Sequence, residues 1–248
     1  MPGAETNSRR RPPFEIRVEK WVYGGKGLGR LGGKVVMTPF VLPGEVARVE
    51  AVREHPGFVE AALVGVLSSS PHRVEPFCPY FARCGGCHYQ HAAYEFQLAQ
   101  KAEILRETLR RAGNIAAEDF GVVSGQSPRY YRNRVQLHIS GGEIGFRQAA
   151  SRRICPVSLC PVASPALNDA LAALRRMAPD RRFPKFVRSI ELFTNESQVQ
   201  LNVIDSAQPV ARRFFEWCAE AIPGARAGSL DYPAAGRLFR VSRRSFFQ

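Results

Sequence analysis

Three cysteines within ten residues, Cys78-Pro-Tyr-Phe-Ala-Arg-Cys84-Gly-Gly-Cys87, constrain this 248-residue chain more than any other feature. Thiols this dense belong to a loop, and Gly85-Gly86 beside them let the backbone wrap a bulky metal group without side-chain clashes. Three thiolates need a fourth ligand. An iron-sulfur cubane takes four cysteines, whereas C-x-x-C is equally half of a structural zinc site that His88 or His91 would complete. The spacing leaves both open. A fourth thiolate must come from Cys155, Cys160 or Cys218; the first two precede prolines in a loop ahead of a helix and are better placed.

On either side of this loop the hydrophobic pattern changes period. From Phe14 to Leu67 apolar residues alternate, as at Phe14, Ile16 and Val18, and glycine or proline turns such as Leu42-Pro-Gly-Glu45 separate the runs. Short strands at that spacing predict a small barrel over residues 14–70. Residues 71–124 hold the cysteine loop and then an amphipathic helix, with Tyr94, Leu98, Ala102, Leu105 and Leu109 on one stripe ending at Gly113. Residues 125–248 read as a mixed α+β domain. Strands are expected at 135–139, at 143–146 after a Gly141-Gly142 turn, and at 190–203. One helix runs from a Ser164 cap with Pro165 at its first position to Met177, another from about Gln208 to Ile222. The fold class is therefore multidomain α+β, and residues 1–13 form a basic, disordered arm.

The formal charge of +13 comes from 35 basic against 22 acidic residues, and 30 of the basic ones are arginine. Arginine's planar fork binds phosphate through two parallel hydrogen bonds, so this excess is the footprint of a nucleic-acid binder, set against the bland reading of an arginine-rich surface. Lys26, Arg30 and Lys34 on barrel loops and Arg132, Arg134 and Arg147 in the second half are the candidate phosphate or base contacts. Tyr23, Tyr131 and Phe146 are candidates for base stacking, with core packing as the alternative. No apolar run reaches the roughly 18 residues of a membrane span, and the N-terminus lacks the apolar stretch of a secretory signal. A cytoplasmic protein without membrane contact is expected, its cysteines reduced.

The segment from Cys78 to His91 resembles the C-x5-C-G-G-C-x2-Q-H signature of the RNA (uracil-5-)-methyltransferases that carry a four-iron four-sulfur cluster. Tyr23-Gly-Gly-Lys-Gly-Leu-Gly-Arg30 and Leu42-Pro-Gly-Glu45 are similar to the TRAM domain, an RNA-binding barrel related to the OB fold. Tyr131-Arg-Asn-Arg134, Gly145-Phe-Arg147 and Phe246-Phe-Gln248 resemble the family's central motifs, in the same order. In that family the fourth ligand lies in a C-P-(aliphatic)-x2-P-x-L-N segment, which Cys160-Pro-Val-Ala-Ser-Pro-Ala-Leu-Asn168 matches better than the segment at Cys155. The resemblance thus implies a 4Fe-4S cluster on Cys78, Cys84, Cys87 and Cys160. It also implies methyl transfer from S-adenosyl-L-methionine to C5 of a uridine in structured RNA, 23S ribosomal RNA before tRNA.

Uracil C5 is too weak a nucleophile to take that methyl unaided, so such enzymes add a cysteine thiolate at C6 first. The resemblance implies that this cysteine and most of the cofactor pocket lie in a Rossmann-like domain beyond residue 248, which the chain reads as stopping short of. By the same resemblance Gln248 would touch the cofactor and Phe246 the target base. A monomer is expected, with a separate chain carrying the catalytic domain as a conceivable partner. Cys218, in Phe-Phe-Glu-Trp-Cys on an apolar helix, reads as a core residue and not as the nucleophile.

The rival reading is a stand-alone RNA-binding iron-sulfur or zinc module without enzymatic activity. A TRAM-bearing radical enzyme fits poorly, because it needs C-x3-C-x2-C. The G-x-G-x-x-G at Gly27, Gly29 and Gly32 leads into another turn and strand instead of opening a helix, so it is not a dinucleotide fingerprint.

Overall fold

The computed structural model describes residues 12–117, 120–125, 127–243 and 245. It divides into two compact units, the first running up to Phe77 and resuming with Cys87–Ser124, the second made of Cys78–Gly86 and the residues from Gly125 on. The division therefore passes through the cysteine segment that the sequence presents as one piece.

The first unit is a closed barrel of β1 (Phe14–Trp21), β2 (Lys26–Leu31), β3 (Lys34–Pro39), β4 (Val46–Glu54) and β5 (Phe58–Ser68), in the order β1-β2-β3-β5-β4. β3 and β5 pair in parallel and the return of β4 onto β1 closes the ring. Alternation supplies the filling, because Ile16, Val18, Val36, Ala47, Val49, Val59 and Ala61 all point inward and are buried. Gly27 and Gly29 lie inside β2. A Cβ at Gly27 would come within 2.4 Å of the Val41 side chain, and one at Gly29 within 2.6 Å of the Arg17 carbonyl. These glycines serve barrel closure, in agreement with the rejection of a dinucleotide motif.

One end of the barrel is sealed by Trp21 and Leu42, on which Tyr89, Ala92, Phe96 and Ile104 pack. The last two belong to α1 (Tyr94–Gly113), which ends at a left-handed Asn114. Beside this cluster Glu45 is fully buried. Its carboxylate accepts from Arg73 Nε at 2.6 Å and Arg73 Nη2 at 2.7 Å, and from the amides of Leu42 at 2.8 Å and Ser70 at 3.1 Å. The Leu42-Pro-Gly-Glu45 turn is thus welded to the chain leaving β5.

The second unit is a six-stranded sheet in the order β11-β10-β9-β6-β7-β8. Its strands are β6 (Arg134–Ser140), β7 (Glu143–Arg147), β8 (Ile154–Cys155), β9 (Val187–Thr194), β10 (Val199–Ser206) and β11 (Ala225–Arg226). The β6–β7 hairpin turns at Gly141 and Gly142, both at positive φ, as the sequence predicts. Packed against the sheet is α2 (Pro165–Met177), which buries Leu167, Leu171 and Leu174. Ser164 occupies its N-cap position, but the hydroxyl makes no hydrogen bond among the described residues, so proline at N1 does more of the starting than the cap. α3 (Arg212–Ala221) begins later than the expected Gln208, because Pro209 biases the residue before it away from helix. Finally β12 (Leu230–Ala234) and β13 (Arg237–Val241) form a separate hairpin; only its second strand is legible as an apolar run.

No helix among the described residues is long and apolar enough to cross a membrane. The arm at residues 1–11 lies outside the described residues.

The Glu45 ion pair makes a testable prediction. Burial by itself raises the carboxyl, yet the Arg73 bonds and the two amides outweigh it and hold Glu45 below its usual range. A carboxyl lowered on folding adds stability above its unfolded pKa and loses it as pH falls through the folded one. Glu45→Ala should destabilise the barrel by about 3–5 kcal/mol, since it strands Arg73, and should flatten the acid limb of stability below about pH 4. Urea unfolding across pH checks both; an unchanged midpoint at neutral pH would contradict the assignment.

Candidate cysteine site and nucleic-acid interface

In the second unit the segment Cys78–Gly86 is pinned at three places. Its turns are closed by Phe81 N–H on the Cys78 carbonyl at 3.0 Å and Cys84 N–H on the Tyr80 carbonyl at 2.8 Å, with Ala82 in the left-handed region. The Gly85 amide donates to the Arg147 carbonyl and the Ala149 amide to the Arg83 carbonyl, both at 2.9 Å, so the segment extends the strand edge beyond β7. A Cβ at Gly85 would approach Arg147 O at 3.3 Å, which explains a small residue there. The third anchor is Tyr80. Its hydroxyl lies 2.8 Å from Ser158 Oγ and accepts from the Ser158 amide at 3.0 Å, tying the first cysteines to the loop that carries Cys160.

Within that loop Cys155 and Cys160 differ. Cys155 is fully buried in the sheet core, and its carbonyl sits against Gly145, where a Cβ would be only 2.1 Å away. Cys160 is half-buried at the edge, like Cys78 and Cys84. Its backbone is shaped by Asn168 of α2. The side-chain oxygen accepts from the Cys160 amide at 2.8 Å, while Nδ2 donates to the carbonyls of Cys160, Ala163 and Ser164 at 3.0–3.2 Å. Residues 130–132 run alongside in turn: the Tyr130 amide donates to Pro161 O, the Arg132 amide to Val162 O and the Ser164 amide to Arg132 O.

Burial raises the Cys78 thiol, and charge on the neighbouring Cys160 and Cys155 pushes it the same way. Cys78 and Cys160 therefore occupy one electrostatic neighbourhood, in which a bound cation would favour thiolates. Among the described residues no three His, Cys, Asp or Glu side chains are gathered tightly enough to hold a metal ion. The donor chemistry of the second unit, soft sulfur on glycine-bearing loops, still fits a thiolate-bound centre. Cys87 belongs to the first unit and is also half-buried. His91 is buried under Trp21 beside the Val41 carbonyl, and burial lowers it to about 4, so its ring is neutral at pH 7. Cys218 is buried on α3 and burial pushes its thiol up to about 12, which makes it inert packing, as its apolar setting implied.

The candidate RNA contacts separate by environment. Lys26, Arg30 and Lys34 each sit beside a carboxylate, Glu60 at 3.0 Å, Glu19 at 3.4 Å and Glu54 at 3.3 Å. Such exposed pairs are worth about 0–1 kcal/mol, so phosphate can displace them. Tyr23, 90% exposed at the neighbouring turn, is free to stack. Arg132 is half-buried and Arg147 exposed, the latter with its guanidinium on the Arg152 carbonyl. Arg134 has a structural setting: it pairs with Glu191 at 2.7 Å and lies over the Phe193 ring. Phe146 packs against the sheet core, whereas Tyr131 is 61% exposed. Phe246 and Gln248 lie outside the described residues. The sequence singled out neither Tyr80 nor the bonding of Asn168, which stand out only once the loops they join are adjacent.

No family model matches the chain. It is 37% identical over 166 residues to an uncharacterized RNA methyltransferase of Aquifex aeolicus, a match covering 66% of this chain and 39% of that protein. It is 36% identical over 173 residues to the 23S rRNA (uracil(1939)-C(5))-methyltransferase RlmD of Photorhabdus laumondii, covering 68% and 40%. The tRNA (uracil-54, C5)-methyltransferase of Pyrococcus abyssi, solved with S-adenosyl-L-homocysteine, shares the fold with a TM-score of 0.66 at 21% identity, over 94% of this chain and 61% of that one. The chain spans about two fifths of the length of these curated relatives. Over about two thirds of its length the chain is similar to RNA methyltransferases, and it shares its fold with the Pyrococcus abyssi enzyme.

Asn168→Ala removes one acceptor and the donor to three carbonyls, leaving the Cys160 loop under-bonded. A loss of about 2–3 kcal/mol in urea unfolding is expected, with Asn168→Asp no better because its carboxylate faces those same carbonyls. A variant as stable as the wild type would show that the loop holds itself.

Proposed function

We propose that this chain is the RNA-recognising and cluster-binding part of an enzyme that methylates uridine C5 in RNA, 23S ribosomal RNA ahead of tRNA, with S-adenosyl-L-methionine as methyl donor. The observation that carries the reading is the match to RNA methyltransferases over about two thirds of the chain. The methyl donor is supported by the product-like ligand of the Pyrococcus abyssi neighbour.

In this reading the barrel is a TRAM-type RNA binder. Lys26, Arg30 and Lys34 meet phosphate, Tyr23 stacks on a splayed base, and Arg132 and Arg147 extend the contact. Cys78, Cys84, Cys87 and Cys160 hold a 4Fe-4S cluster, which when bound supplies a covalent staple between distant segments of chain. Cys155, sealed in the core, is left out. The protein works in the cytoplasm as a monomer, and the family resemblance assigns Gln248 to the methyl donor and Phe246 to the target base. The competing reading, an RNA-binding cluster module without transferase activity, rests on the same barrel and loop.

Two experiments bear on this. Because this reading gives the chain recognition and not the transfer step, methyl transfer is read by incubating it with unmodified 23S rRNA and labelled S-adenosyl-L-methionine, with and without a separately expressed catalytic domain from a relative such as RlmD, then digesting the RNA to nucleosides. Label in 5-methyluridine that rises when both parts are present supports the enzyme, and RNA binding without such a rise supports the module. For the ligand set, Cys160→Ser should abolish the broad visible absorbance of the cluster and lower stability, whereas Cys155→Ser should keep the absorbance. The opposite pattern would move the fourth ligand to Cys155.

A further inference from the structure

The second unit carries a cavity of about 850 Å3 between the loop that enters β9 and the start of α3. Its size is that of a site for a small ligand or for one or two nucleotides. The floor is aromatic: Phe183 and Phe214 are buried and meet edge to face at 5.3 Å. One wall is rigid, because Arg182 is clamped by Asp180 and lies 4.3 Å over the Trp217 ring. That clamp is strong enough to pull Asp180 down to about 2 through the Arg182 side-chain bonds.

The rim is different. Arg181, Lys185 and Arg213 are exposed, line the same cavity, and have no carboxylate partner among the described residues. Two acids also face the cavity. Glu216 is held by Arg212 at 2.8 Å, and Glu220 lies near enough to Arg182 to act on its charge. Both are therefore partly answered by arginines other than the three at the rim. The barrel lysines and Arg30 all stand beside carboxylates. The three rim cations do not, which marks this cavity as a place where negative charge from outside is wanted.

We infer that this cavity is a second RNA contact, separate from the barrel, in which Arg181, Lys185 and Arg213 hold the sugar-phosphate backbone of a single-stranded segment of the substrate RNA. The inference rests on the reading that the chain binds RNA. An RNA strand fits better than a compact anion because the three cations are spread around a space much larger than one phosphate, and because the half-buried Phe186 and Trp217, which line the same cavity, offer apolar surface to a base or ribose. Contacts of this kind set register and affinity without reading sequence.

The test compares the wild type, an Arg181→Ala/Lys185→Ala/Arg213→Ala variant and a Lys26→Ala/Arg30→Ala variant. Each is titrated with a labelled single-stranded RNA over a series of salt concentrations. Loss of three phosphate contacts should weaken binding at least tenfold and reduce the slope of log affinity against log salt by about 2. In the wild type, a thiouridine-substituted RNA should crosslink to the peptides around 181–185 and 212–217, a readout that does not depend on how the variant folds. If the cavity variant keeps the wild-type slope and no crosslink maps there, while the barrel variant loses affinity, the cavity assignment fails and the RNA reading stands. If the wild type shows no salt-dependent binding, both fail.

Discussion

The loop from Cys160 to Ser164 takes its shape from one side chain. Asn168 accepts from the Cys160 amide and donates to three carbonyls of the same loop, so a stretch with no regular structure is fixed to the first turn of α2. What depends on it lies on both sides. Residues 130–132, with their exposed tyrosines, are hydrogen-bonded along the loop's outer edge. Tyr80 binds Ser158 just before it, bringing in the segment with Cys78 and Cys84. A neutral amide suits the task because it offers an acceptor and two donors at once, and no other uncharged side chain of that length does. A cluster held at Cys78 and Cys160 would therefore also steady the stretch at 130–132 in which RNA contacts are proposed.

Much of this was legible. Period-two alternation and glycine turns located the barrel strands, and the helix of residues 94–113 followed from its stripe ending at glycine. Pro165 marked the start of α2 because proline is at home in a first turn and nowhere later. What stayed hidden depends on partners far apart in sequence. Burial of Glu45 cannot be read from Leu-Pro-Gly-Glu, since its partner Arg73 is 28 residues on. Arg134 looked like a phosphate contact because charge says nothing of direction, and Glu191 and Phe193 claim it only when β6 lies beside β9. The strands at 154–155 and 225–226 have two residues each, too short for any periodicity. The division of the cysteine segment between two units is likewise a property of packing, since Gly86 and Cys87 are neighbours in the chain.

The charge excess also looks different in three dimensions. A net +13 read from composition suggests a broad positive surface. Many arginines and lysines are instead matched: Lys20 to Glu107, Arg48 to Glu15, Arg188 to Asp205 and Arg240 to Asp231, besides the pairs already described. Exposed pairs of this kind add little to stability, but they narrow the surface from which an anion can draw binding energy. The remaining unmatched cations become correspondingly informative, and the cysteine loops supply the other localised chemistry of the chain.

The measurement that bears most directly on the account is the iron, acid-labile sulfide and zinc content of this chain after anaerobic purification. The account predicts about four irons and four sulfides per chain with little zinc. One zinc per chain without sulfide would contradict it, turning the cysteine loops into a structural zinc site and removing the cluster from the proposed function.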